Sequence, residues 1–175
     1  RETLAAVRQS LDDRRRATSA AVDTTGVAIT ESAVAREDGT AVPVRIYRGG
    51  PAPAPTVIYC HAGAFVLGNL DTDHHQCVTL ARGARCTVVS VDYRLATEHP
   101  YPAALLDAAA VLTWARASAA DIGVDPARLA VAGHLHYVWL RGHGGLQVFA
   151  DAADRQLFRD ALREASSGVV VHGVA

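Results

Sequence analysis

Thr56-Val57-Ile58-Tyr59-Cys60-His61-Ala62-Gly63-Ala64-Phe65-Val66-Leu67-Gly68 is the stretch on which the fold turns. Residues 56–60 form a short continuous apolar run, the pattern of a strand buried on both faces. Residues 61–73 then carry Gly63, Gly68, Asn69 and two aspartates, and they read as a loop. A chain that leaves the carboxyl end of a buried strand through small residues can turn backbone N–H groups outward, where they would stabilise an oxyanion. The plain alternative is an ordinary strand-to-loop exit.

Downstream, Asp73 stands where it would cap a helix over 74–83, with Gly83 as its stop. Residues 86–91 form a second buried strand. Pro100 and Pro102 introduce a long helix over 103–120, residues 121–126 form a turn, and 129–132 a third apolar strand. Strand, helix, strand, helix, strand is the pattern of right-handed crossovers with helices on both faces. The fold class that follows is α/β, a doubly wound, mostly parallel sheet. Upstream, Leu4, Val7, Arg8 and Leu11 give residues 2–16 the spacing of an amphipathic helix with a charged end that includes Arg14-Arg15-Arg16. Residues 27–34 and 41–47 alternate around Glu37-Asp38-Gly39, which predicts an antiparallel N-terminal hairpin.

The pattern changes beyond Gly133. Residues 135–140 read as a strand separated from the previous one by only Gly133 and His134, too little for a parallel crossover. A hairpin or no pairing is expected there, and 151–165 is predicted as a last amphipathic helix. The whole chain, 1–175, is expected to be one domain.

Half of the 175 residues are hydrophobic and 20% are charged, with mean hydropathy +0.11, so wholesale disorder is excluded. A net charge of −1 and a pI near 6.8 give no electrostatic pull toward nucleic acid. No apolar run reaches the ~18 residues of a membrane span. Because the chain begins at Arg1 rather than methionine, its natural start is expected to lie elsewhere. Cys60, Cys77 and Cys86 are an odd number without CxxC spacing, so a reducing, cytoplasmic setting is the expectation. His134, His136 and His143 are the one histidine group that suggests a cation, since H-x-H on a strand faces one way. No carboxylate or cysteine lies close to complete the ligand set, so neither a metal nor a cofactor is expected. His74-His75 reads as a solvated helix start.

Residues 59–68 resemble the His-Gly-Gly-Gly oxyanion loop of the hormone-sensitive-lipase family of α/β-hydrolases, with Ala62 and Ala64 in two glycine slots. Asp92-Tyr93-Arg94-Leu95-Ala96-Thr97-Glu98-His99-Pro100-Tyr101-Pro102 is similar to that family's Asp-Tyr-Arg-Leu-Ala-Pro-Glu-His-Pro-Phe-Pro block, with Thr97 in place of a proline. Gly68-Asn69-Leu70-Asp71-Thr72-Asp73 between them also fits the family pattern. Residues 1–133 are thereby identified as the N-terminal part of such a fold. The resemblance implies a carboxylic-ester hydrolase acting on small-molecule esters through Ser, His and an acid. It assigns the oxyanion hole to the N–H groups of Gly63 and Ala64, and a supporting role to His61, Ala62, Tyr93 and Glu98. Alanine at a glycine slot is expected to crowd the acyl pocket or to resist a positive φ.

The nucleophile is where the chain departs from the family. Val131-Ala132-Gly133 leads not into Gly-Asp-Ser-Ala-Gly but into His134-Leu135-His136, so Leu135 fills the serine slot. No other Gly-x-Ser-x-Gly occurs, and Cys60, at a strand end, reads as a small core residue. From His136 onward the resemblance resumes at a later point of the family. Val138-Trp139-Leu140-Arg141-Gly142-His143-Gly144 is similar to the last strand and its histidine turn, making His143 the candidate general base, and 151–165 to the final helix. The intervening acid motif has no counterpart. An internal deletion and little or no esterase activity are expected. The alternative is a non-catalytic remnant or a binding or oligomerising module, self-associating through the exposed edge of strand 129–132.

Overall fold

The computed structural model describes residues 3–96 and 98–133. Its elements are α1 (Leu4–Ala20), β1 (Ala28–Ala35), β2 (Ala41–Arg48), β3 (Ala54–Cys60), α2 (His74–Ala84), β4 (Thr87–Val91), α3 (Ala103–Ala117), α4 (Ala119–Ile122) and β5 (Val124–Gly133). The strands lie side by side in the order β1-β2-β4-β3-β5. β3 pairs in parallel with β4 and β5, while β2 is antiparallel to both β1 and β4. β2 alone therefore runs against the other strands, and the expected mixture of N-terminal hairpin and parallel sheet is observed.

Side chains alternate between the two faces with the period of the strand. Ile58, Val89 and Val91 join Val111, Leu112 and Ala115 of α3 in one core layer. Tyr47, Tyr59 and Val88 join Cys77, Val78 and Ala81 of α2 in the other. β4 is buried along its whole length because helices cover both of its faces; each of its valines contributes on the order of 1.5–3 kcal/mol.

Several local expectations are corrected. Asp73 occupies the cap position of α2 but makes no side-chain capping bond; its carboxylate is taken by the loop described below. Gly83 lies inside α2, which ends instead at Arg85 in the left-handed region, φ 50°. α3 stops at Ala117. The turn expected over 121–126 is divided between α4 and the start of β5. The arginine run is not the end of α1, since the helix continues to Ala20 and pairs Arg15 with Asp12 and Arg16 with Asp13. α1 also buries no residue completely; Val7, Arg8, Leu11, Asp12, Arg15 and Ser19 form a half-buried stripe. His74 is buried against the Tyr47 hydroxyl at 2.9 Å, and only His75 meets solvent. The third strand starts earlier than expected, at Val124; β5 is mostly exposed, with Val131 at 38%, because β3 is its only neighbour among the described residues. The strand and helix expected over 135–165 lie outside the described residues.

Candidate active site

The winding of the sheet locates the site. From β3 the chain crosses by α2 to β4 on one side, then returns by α3 to β5 on the other side of β3. The connections that leave β3 and β4 thus run in opposite directions across the sheet. In open α/β sheets the crevice outside the strand carboxyl ends at such a switch point is where ligands bind. Cys60 and Gly133, the last residues of the two strands, are paired in register. They pack so closely that a Cβ on Gly133 would stand 2.2 Å from the Cys60 carbonyl oxygen.

Beyond Cys60 the backbone enters a tight turn. Gly63, Ala64 and Phe65 have φ of 138°, 53° and 63°, three consecutive residues in conformations L side chains disfavour. Ala64 does take the positive φ that a side chain is expected to resist, because the turn is fixed from several directions. Val66 and Leu67 N–H groups both donate to the Gly63 carbonyl at 3.0 Å, and the Ala96 N–H donates to the Phe65 carbonyl at 2.6 Å. Gly63 itself must lack a side chain, since a Cβ would lie 1.9 Å from the Leu67 carbonyl oxygen. Among the described residues, no hydrogen bond uses the N–H of Gly63 or Ala64. Ala64 is exposed.

Buried polar groups support the turn from below. The Asp73 carboxylate accepts the Ala62 N–H at 2.8 Å, so the aspartate read as a helix cap ties the loop to α2 instead. His61 is 4% exposed; its Nδ1 donates to the Ala62 carbonyl at 2.9 Å, since that oxygen can only accept. Its Nε2 is then a bare acceptor, with no partner among the described residues. Burial lowers the His61 pKa below the ordinary histidine value, against smaller opposing effects of the Ala62 carbonyl and Asp73, so the ring is neutral at pH 7. The ring stacks on Tyr93 at 4.2 Å, and the Tyr93 hydroxyl donates to the His61 carbonyl at 2.8 Å. Glu98 lies farther out, paired with Arg8 of α1 at 2.6 Å. Of the sequence-predicted site residues, His61, Ala62, Gly63, Ala64 and Tyr93 are thus brought together. Glu98 joins them through α1, and His143 lies outside the described residues, as does Leu135.

Two contributors went unassigned in the sequence. Arg8 reaches from α1 into the turn, its Nε donating to the Val66 carbonyl at 2.8 Å. Asp107 of α3, 1% exposed, receives Arg36 at 2.7 Å, the Arg94 guanidinium at 2.9 Å and the Arg94 backbone N–H at 2.9 Å. Burial raises its pKa, but the hydrogen bonds from Arg36 and Arg94 outweigh this and hold it below the ordinary carboxylate value. Its signal was legible: it is the sole charge in the apolar stretch 103–115. Burial of Asp92, the first residue of the 92–102 block, with Asp12 and Asp71 nearby, raises its pKa to about 6 despite Arg45. The Cys60 thiol is pushed by burial up to about 12, which leaves it protonated and unreactive.

Residues 57–134 match a family model described as alpha/beta hydrolase fold. Esterase LipI of Mycobacterium tuberculosis is 50% identical over 102 residues, 55% of this chain and 32% of that protein. Carboxylesterase NlhH of the same species is 47% identical over 107 residues, 60% of this chain and 34% of its own length. The crystal structure of esterase LipW from Mycobacterium marinum superposes with a TM-score of 0.71 at 59% identity, covering 74% of this chain and 42% of LipW. The chain thus spans about a third of the length of these curated relatives.

Proposed function

From the match of residues 57–134 to the α/β-hydrolase fold, we propose that the chain keeps the oxyanion half of a carboxylic-ester hydrolase and lacks the nucleophile half. The observation that carries this reading is the Gly63-Ala64-Phe65 turn at the switch point, with two N–H groups that no described residue uses. When an ester carbonyl is attacked, its oxygen becomes negative, and each such preorganised donor contributes roughly 3–4 kcal/mol in known hydrolases. His61, Ala62, Tyr93 and Glu98 act as supports of that turn. His143 is the proposed general base, but Leu135 gives it no hydroxyl to deprotonate, and no acid partner is assigned. What remains is recognition of an ester or its oxyanion without an acyl-enzyme route. Continuity of the family pattern up to Gly133 and its resumption at His136 supports an internal deletion within one domain. The three cysteines, all buried and unpaired, favour a reducing, cytoplasmic setting.

The test is a titration of ¹⁵N-labelled protein with a methylphosphonate monoester anion, alongside assay of a short-chain nitrophenyl ester. Saturable shifts at the Gly63 and Ala64 amides without a product burst are expected. Unmoved amides, or a stoichiometric burst, contradict the proposal. A second reading, self-association, is favoured by the exposed face of β5 at Val131. Light scattering decides it, a monomer at all concentrations counting against.

A further inference from the structure

We infer that Arg8 is a positioning residue, through which α1 holds the 63–67 turn in its left-handed shape. This inference rests on the oxyanion reading for its functional meaning, though not for its geometry. Two non-glycine residues in succession with positive φ persist only where their surroundings over-determine them. Most of the bonds that do so come from within the turn or from the sheet body: Val66 and Leu67 onto the Gly63 carbonyl, Ala96 onto Phe65, and Ala62 onto Asp73. Arg8 supplies the remaining one from outside that body. Its side chain is 16% exposed, its Nε donates to the Val66 carbonyl at 2.8 Å, and its NH1 meets Glu98 at 2.6 Å. One planar guanidinium therefore bridges the turn and the segment after Leu95, whose Ala96 N–H holds the turn's other side.

The construction of α1 fits that task. A 17-residue helix with no fully buried residue gains little from apolar packing, so its seating depends on polar contacts. Among the described residues, the side chains that bond it to the loop are Arg8, at the turn, and Ser19, whose hydroxyl donates to Asp71 at 3.1 Å. Of these two, only Arg8 bonds within residues 63–67.

Amide hydrogen exchange and amide chemical shifts of the full chain test this. Arg8→Ala is expected to speed exchange at Val66, Leu67 and Ala96 by roughly tenfold or more and to move the Gly63 and Ala64 resonances, with Val88 and Val89 unchanged. Ser19→Ala, which weakens the seating of α1 elsewhere, is expected to leave the turn amides as they are. Methylguanidinium added to Arg8→Ala is expected to restore them in part. Unchanged turn amides in Arg8→Ala, or equal loosening by Ser19→Ala, overturn the inference. Failure of the methylphosphonate monoester to bind the wild-type chain while Arg8→Ala still loosens the turn would sink the oxyanion reading and leave the positioning role intact.

Discussion

The exits of β3 and β4 lie side by side at the carboxyl edge of the sheet, and both carry long family motifs, yet they are built to opposite ends. After β4, Asp92-Tyr93-Arg94 is locked down: Asp107 takes the Arg94 backbone N–H and guanidinium together with Arg36, and Tyr93 closes onto His61. After β3, the turn is held just as firmly but leaves the N–H groups of Gly63 and Ala64 without a described partner, in a backbone that disfavours side chains. A structural motif satisfies its polar groups, while a site keeps donors in reserve for something that is not yet there. The two segments are equally recognisable as sequence; hydrogen bonding separates the frame from the proposed site.

Removing the frame should have the largest effect. Asp107→Ala leaves two arginines without their buried anion, and a loss of about 3–5 kcal/mol is expected in urea unfolding. If the cost is near zero, the clamp is not what holds the β4 exit. Because its folded pKa lies below the unfolded 3.8, the Asp107 contribution is fully present above about pH 4 and fades as pH falls through the folded value.

Breaking the site comes next. Gly63→Ala sets a methyl against the Leu67 carbonyl at φ 138°, and about 1–3 kcal/mol should be lost together with the phosphonate-induced shifts. Ala64→Gly acts in the other direction. It relieves a left-handed alanine, a gain of up to about 1 kcal/mol after the glycine's greater unfolded-state freedom is counted, with anion binding kept. A loss of stability there would mean that the turn does not strain its side chains.

The smallest effect is one that pH can reveal. The folded Asp92 carboxyl titrates at about 6 against 3.8 unfolded, so the folded state holds its proton more tightly and this contribution is lost as pH rises between those values. Asp92→Asn should therefore match the wild type near pH 4 in urea midpoint and gain on it steadily up to about pH 6, then run parallel. A constant difference across that range would contradict the assignment. Partial exposure screens the repulsion from Asp12 and Asp71 and keeps the gain modest.

The parallel sheet was legible because buried strands such as 86–91 announce themselves as continuous apolar runs, and helix 103–117 through alanine and leucine. The β3 exit was legible because small residues after a buried strand are a local signal. Asp73 was misread for the same reason: an aspartate before a helix looks like a cap, and only the folded loop shows that the Ala62 N–H claims it. Arg8 and Glu98, 90 residues apart, met only in three dimensions, and no periodicity on either segment encodes that pairing. The helix end at Arg85 was hidden because a left-handed arginine carries no sequence mark, whereas Gly83 carries a misleading one.

The central claim, an oxyanion turn without a nucleophile, is tested most directly by incubating the full chain with a fluorophosphonate and measuring intact mass. The unmodified mass is predicted, because Leu135 stands where a serine would be phosphonylated. A single adduct per chain would reveal an activated hydroxyl and contradict the account.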